Sequence, residues 1–210
     1  MTTFFYLHGW LSSPQSNKAQ FFKQCFLERG IDLQIPDFNQ NDFYHLTLTR
    51  QIQQVQALLP NSPVTLIGSS LGGLTALWLA QRQPQIQRLV LLAPALNLLT
   101  HCVTTMGKEQ YVKWREQGEF AFYHYNFQRE VLLSYAFIKD MQQYADTELQ
   151  RNIPTLILHG RFDEIIPIQT AHDFVSTRPQ IQLIELRSDH NLTDVQTSLW
   201  QEITTFCQLN

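Results

Sequence analysis

The sequence predicts an α/β chain of three layers: a mostly parallel six-stranded sheet, helices on both faces, and an aromatic-rich cap insertion. Three observations predict it. Short, nearly continuous apolar runs recur along the chain, as they do in strands covered on both faces. Segments with apolar residues at helical spacing separate them. One stretch, 97–150, is too long for a simple connection and rich in aromatic residues. A chain of 210 residues is expected to form one domain, with 1–96 and 151–210 as core and 97–150 as a cap-like insertion.

The elements follow in order. Thr3–Leu7 is apolar and reads as the first strand, ending in a loop at His8-Gly9-Trp10. A helix is expected from about Ser16 to Arg29, with Ala19, Phe22, Cys25 or Phe26 and Arg29 at helical spacing, Ser16 as its cap and Gly30 at its end. Ile31–Pro36 is the expected second strand. Leu48, Ile52, Val55 and Leu59 mark the buried face of the next helix, which Pro60 closes. Val64–Ile67 is the third strand, and a helix running to about Arg82 follows it after five residues. In that helix Gly73 is expected to permit close packing on the sheet. Arg88–Pro94, Leu156–Gly160 and Ile181–Leu186 complete the strands, and a last helix runs from about Asp194 to Cys207.

Within the insertion, Gly118 to Tyr135 alternates as a hairpin does, with Asn126 near its tip, and Tyr135 to Tyr144 reads as helical. Its rings are Tyr111, Trp114, Phe120, Phe122, Tyr123, Tyr125, Phe127, Tyr135 and Phe137. They have two readings: an apolar pocket wall, or packing of the insert on the core.

The strongest local signal is Gly68-Ser69-Ser70-Leu71-Gly72, set between a strand and a helix. A G-x-S-x-G turn in that context exposes a serine hydroxyl above a sheet, at the cost of strained backbone. Two partners follow in chain order. Asp163 lies in the turn after the fifth strand, and His190 in the loop after the sixth. A serine hydroxyl is a weak nucleophile until a base takes its proton, and a buried carboxylate must hold that base in the right tautomer. Ser70, Asp163 and His190 are therefore the catalytic candidates. Acyl chemistry also needs donors aimed at a developing oxyanion. The backbone N–H groups of Leu71 and Trp10 are the candidates, with Gly9 permitting the turn and His8 holding the loop.

Neighbouring residues receive quieter roles. Asp189 is expected to bond local backbone, and Glu164 to point away from the turn. His159 is expected to pack beneath the acid loop, and Ser69 to face away from the site. His45, His101, His124 and His172 lack ligand spacing and read as surface or core residues. Ser12 and Ser13 read as loop residues.

Strand-His-Gly, then Gly-Ser-Ser-Leu-Gly-Gly, then Leu-His-Gly-x-x-Asp-x-x-x-Pro, then Ser-Asp-His resembles the alpha/beta-hydrolase superfamily over nearly the whole chain. The opening Leu7-His8-Gly9-Trp10-Leu11-Ser12-Ser13-Pro14-Gln15-Ser16-Asn17-Lys18-Ala19 is similar to that of the small YqiA/YcfP-like bacterial esterases. The resemblance implies a three-layer alpha/beta-hydrolase fold and a serine carboxylesterase-type hydrolase. The expected reaction cleaves a small-to-medium ester or thioester through an acyl-enzyme on Ser70. Two alternatives stay open: an acyltransferase or thioesterase using the same triad, and a ligand-binding member of the fold without turnover.

Composition narrows the partners. Fifteen basic and eighteen acidic residues give a net charge of −3, with no run of like charge. That argues against a nucleic-acid groove or a polybasic membrane patch, leaving a small-molecule ester or thioester as the expected partner. No metal or organic cofactor is called for. The N-terminus lacks a charged leader and enters a strand at once, and Cys25, Cys102 and Cys207 are odd in number without metal spacing. A cytoplasmic protein with reduced, buried thiols is the expectation. Oligomeric state is not legible.

Overall fold

Six strands form one fully parallel sheet: β1 (Thr3–Leu7), β2 (Leu33–Gln34), β3 (Val64–Ser69), β4 (Ile86–Leu92), β7 (Thr155–Gly160) and β8 (Ile181–Leu186), in spatial order β2-β1-β3-β4-β7-β8. The structure is a computed structural model and describes residues 2–209. Two further strands, β5 (Glu119–His124) and β6 (Arg129–Ser134), form a separate antiparallel hairpin.

Strand alternation sorts the core onto two faces. Phe4, Tyr6, Ile67, Val90 and Leu158 point to one, against α1 (Asn17–Leu27) and α8 (Gln196–Cys207). Phe5, Leu7, Leu66, Leu91 and Ile157 point to the other, against α2 (Leu48–Leu58), α3 (Leu71–Arg82) and α7 (Gln169–Ser176). Because β3, β4 and β7 are covered on both faces, they read in sequence as unbroken apolar runs. Ser16 caps α1 by accepting from the Ala19 N–H, and Thr47 caps α2 by accepting from the Arg50 N–H.

The insertion forms α4 (Leu98–Met106), α5 (Lys108–Gln117), the β5–β6 hairpin with its turn at 125–128, and α6 (Ala136–Met141). Trp114 is its hub: fully buried, it donates from Nε1 to the Leu133 carbonyl at 3.0 Å. Asp140 fastens α6 to α2, accepting from the Thr49 N–H at 2.9 Å, while Ser134 N–H donates to the Tyr44 carbonyl at 3.0 Å.

Several expectations need correction. The second strand is two residues, not Ile31–Pro36, because it is an edge strand paired only to β1 and a proline has no N–H to give. β4 begins at Ile86, two residues before the expected Arg88, and α8 begins at Gln196 rather than Asp194. Arg29 is exposed beyond the end of α1, its guanidinium over the Trp200 ring, and helical structure after Tyr135 stops at Met141. Of the cysteines only Cys207 is buried; Cys25 and Cys102 are half-buried, and all three are free. Helices α4, α5 and α7 lacked a sequence signal strong enough to place them.

A close backbone contact joins α3 to β1. A Cβ on Gly72 would overlap the Leu7 carbonyl and lie 2.7 Å from the His8 carbonyl oxygen, both backbone atoms without room to yield. Gly72→Ala is therefore expected to destabilise the protein by about 3 kcal/mol, read as a lower midpoint in urea unfolding. An unchanged midpoint would refute this close fit.

Candidate active site

All six strands being parallel, their C-terminal ends share one edge of the sheet. Between β1 and β3 the chain reverses its direction of travel across the sheet, the place at which open parallel sheets form a crevice. The Gly9 loop and Ser70 flank this crevice. A Cβ on Gly9 would come within 3.2 Å of the Ser70 Cβ.

Ser70 has φ 52° and ψ −117°, a conformation costly for any residue with a side chain. The surrounding backbone holds it there. Its N–H donates to the Leu92 carbonyl at 2.9 Å, and its own carbonyl accepts from Gly73 at 2.9 Å and Ala95 at 3.1 Å. Gly68 lies against the backbone of Gly72 and Gly73, so the turn closes only because residue 68 lacks a side chain.

The three candidate residues converge from separate loops. Ser70 O–H donates to His190 Nε2 at 3.0 Å, and His190 Nδ1–H donates to Asp163 Oδ2 at 2.7 Å. Asp163 has a fully buried side chain. Its Oδ1 accepts from the Ile165 N–H at 3.0 Å and the Ile166 N–H at 2.8 Å. Burial pushes this carboxyl up, but the donors from His159, His190 and Ile166 outweigh it and hold it far below the usual carboxylate range. Around His190, Asp189 Oδ1 accepts from Asn191 N–H at 2.8 Å and Leu192 N–H at 3.2 Å, while Lys18 Nζ donates to the Asn191 carbonyl at 2.7 Å.

The first loop is aimed by His8. Its Nε2 accepts from the Phe38 N–H at 3.1 Å, so the ring hydrogen sits on Nδ1, which donates to the Gly9 carbonyl at 2.9 Å. C=O and N–H point oppositely across a trans peptide. With the Gly9 carbonyl turned to His8, the Trp10 N–H is turned away from it. Leu71 opens α3, so its N–H is among those a helix start leaves without an intrahelical acceptor. Among the described residues neither N–H donates to another protein group.

A cavity of about 300 Å³ opens from Ser70 into the insertion. Its walls are overwhelmingly apolar, with Trp10, Trp114, Phe122 and Phe137 as its aromatic side and Leu98 and Cys102 of α4 facing them. Trp10 lies parallel to Phe137 at 6.0 Å and edge-on to Phe122 at 4.7 Å. The two readings of the insert's rings thus divide by position. Phe120, Phe122, Trp114 and Phe137 wall the cavity, Tyr111 and Tyr135 bond each other, and Tyr123, Tyr125 and Phe127 are exposed.

Some residues have roles that the sequence understated. His101 and Cys102 line the cavity, because α4 presents positions 98, 101, 102 and 105 on one face. His124 is fully buried, stacked on Phe127 at 3.9 Å. His159 lies under the acid loop and also touches Asp163, 3.1 Å from Oδ2. The Leu-His-Gly-x-x-Asp spacing was the available signal, but four residues across a strand end do not reveal contact. Among the described residues no cluster of three or more His, Cys, Asp or Glu could hold a metal ion, and no helix is long and apolar enough to cross a membrane.

Solved structures share this architecture. Alpha/beta hydrolase domain-containing protein 10 from mouse superposes with a TM-score of 0.80 at 22% identity, covering 98% of this chain and 89% of its own. Est1E from Butyrivibrio proteoclasticus, with ferulic acid bound, gives 0.81 at 16% identity, covering 99% and 88%. The Pyrococcus furiosus esterase Pf2001 gives 0.67 at 16%, covering 99% and 82%. At these identities the likeness establishes the alpha/beta-hydrolase fold. No curated protein sequence matches the chain. The family model described as Uncharacterised protein family (UPF0227) matches residues 3–208, so this chain, with its alpha/beta-hydrolase fold, belongs to the UPF0227 family.

Proposed function

We propose that the protein is a serine hydrolase that cleaves carboxylic esters or thioesters through an acyl-enzyme on Ser70. One observation carries the reading: an unbroken hydrogen-bonded chain, Ser70 to His190 to Asp163, ends at a strained serine that lines an apolar cavity. Structural packing alone needs neither the strain nor the opening.

In this mechanism His190 Nε2 takes the Ser70 proton as Oγ attacks the carbonyl carbon. Asp163, ionised, holds the imidazole by Nδ1 and stabilises the imidazolium that forms. The Leu71 and Trp10 N–H groups donate to the oxyanion, each worth about 10²–10³ in rate. The tetrahedral intermediate collapses, His190 Nε2–H protonates the leaving alcohol or thiol, and the same nitrogen then activates the water that releases the acid. No step calls on a cofactor.

The apolar walls of the cavity support an apolar acyl group as the part it holds. A cavity of about 300 Å³ is at the lower end of the range for small-molecule sites, which fits a medium-length acyl chain. Each buried methylene contributes about 0.8 kcal/mol, a threefold to fourfold gain in kcat/KM where it is bound in the transition state.

Ser70→Ala is expected to lower kcat by four to six orders of magnitude, roughly, with the fold retained by circular dichroism. Labelling by a fluorophosphonate probe should vanish in the same variant. A Ser70→Ala protein with near-normal turnover sinks the reading, and tight ligand binding by a wild type that neither labels nor turns over points to a binding protein instead. Release of transferred product on adding alcohols or thiols would favour the acyltransferase reading. Across p-nitrophenyl esters, kcat/KM should climb from acetyl to about octanoyl or decanoyl and then fall, with Leu98→Trp moving the maximum to shorter chains. A profile highest at acetyl would remove the cavity as the acyl site.

A further inference from the structure

We infer that His159 is a positioning residue, a neutral imidazole donor that fixes the Asp163 carboxylate while leaving its charge to His190. The inference rests on the reading of Asp163 and His190 as the acid and base of the reaction. His159 is the penultimate residue of β7 and fully buried. Its Nε2 lies 2.9 Å from the Ile166 carbonyl oxygen and 3.1 Å from Asp163 Oδ2. A carbonyl oxygen only accepts, so Nε2 carries the hydrogen, directs it at the Ile166 carbonyl and sets the polarised N–H beside Asp163 Oδ2. Nδ1 is then bare, buried and without a hydrogen-bond partner among the described residues. The ring is held as a donor at one end and has no acceptor waiting for a second proton at the other.

The consequence is electrostatic. A buried carboxylate left short of donors would drift toward its protonated form or out of register. Asp163 instead receives Ile165 and Ile166 N–H on Oδ1 and the His190 Nδ1–H on Oδ2, with His159 Nε2 3.1 Å from that same oxygen. A lysine or arginine in place of His159 would form a competing ion pair and draw the charge away from His190. A neutral N–H holds the same oxygen without neutralising it. The clamp also fixes Ile166, whose N–H donates to Asp163, whose carbonyl accepts from His159, and whose side chain lines the cavity. Other charged groups close to the acid and base loops include Lys18 and Asp189, of opposite sign, Asp194, which accepts from the Ser188 hydroxyl, and Arg161, paired with Glu185.

Three proteins test this: wild type, His159→Leu and His159→Gln, whose amide nitrogen falls near the position of Nε2. His159→Leu is expected to lose about 10–100-fold in kcat with KM unchanged, as loss of a supporting hydrogen bond typically does. Its acid limb in kcat/KM should move to higher pH, since Asp163 then concentrates its charge on the imidazolium. His159→Gln should recover most of both effects. In proton NMR, the downfield His190 Nδ1–H signal should move in the leucine variant and return in the glutamine variant. Equal losses in both variants, or a folded leucine variant with wild-type kcat and an unmoved signal, would overturn the inference. If the leucine variant does not fold, His159→Asn, too short to reach Oδ2, takes its place with the same expectations. A wild type without turnover defeats the hydrolase reading alone, and the NMR signal then decides for or against His159.

Discussion

The conformation of Ser70 is the constraint on which the rest of this structure turns. A residue with a side chain does not rest at φ 52° and ψ −117° unaided. It stays there because β3 is locked between β1 and β4, because α3 starts at the next residue, and because Leu92 and Ala95 bond its backbone from the adjoining strand end. Gly68 removes the atom that would collide as the chain turns back on itself, and Gly72 the one that would strike Leu7 and His8. Strain of this kind costs on the order of 1–3 kcal/mol. The double-sided core offsets it: each buried Leu, Ile or Phe contributes about 1.5–3 kcal/mol.

From that one fixed point the site is assembled by geometry rather than by chain proximity. Parallel strands bring every C-terminal loop to the same edge, so Asp163 and His190, far apart in sequence from Ser70, arrive at hydrogen-bond distance. Each loop has its own fastening. Asp189 and Lys18 hold the His190 loop, Ile165 and Ile166 hold the acid, and His8 turns the Gly9 carbonyl. The reaction proposed for Ser70 would require precise placement of this sort, since misplacement by an ångström can forfeit most of the rate.

The cap supplies what the core lacks, an apolar volume above the serine. Trp114 and Phe137 are buried within it and line the cavity, whereas α4 buries none of its own residues fully and presents one stripe to the cavity. Asn97 and Gly107, both at positive φ, bound that helix.

Much of this was written in the sequence. Apolar runs marked five strands well and the second less well, since a two-residue edge strand carries almost no pattern. G-x-S-x-G between strand and helix located Ser70, and the strand ends located Asp163 and His190, because a parallel sheet leaves only one edge for them. The hairpin tip near Asn126 was legible from alternation. Tertiary structure alone decided the rest. Helices α4 and α5 are shaped by contacts with the cavity and with each other, so their short segments lack a strong amphipathic period of their own. Which insert aromatics face the cavity, which nitrogen of His8 carries hydrogen, and that His159 reaches Asp163 all depend on distances between loops. Local sequence encodes where a chain turns, but only the packed sheet determines what each turn meets.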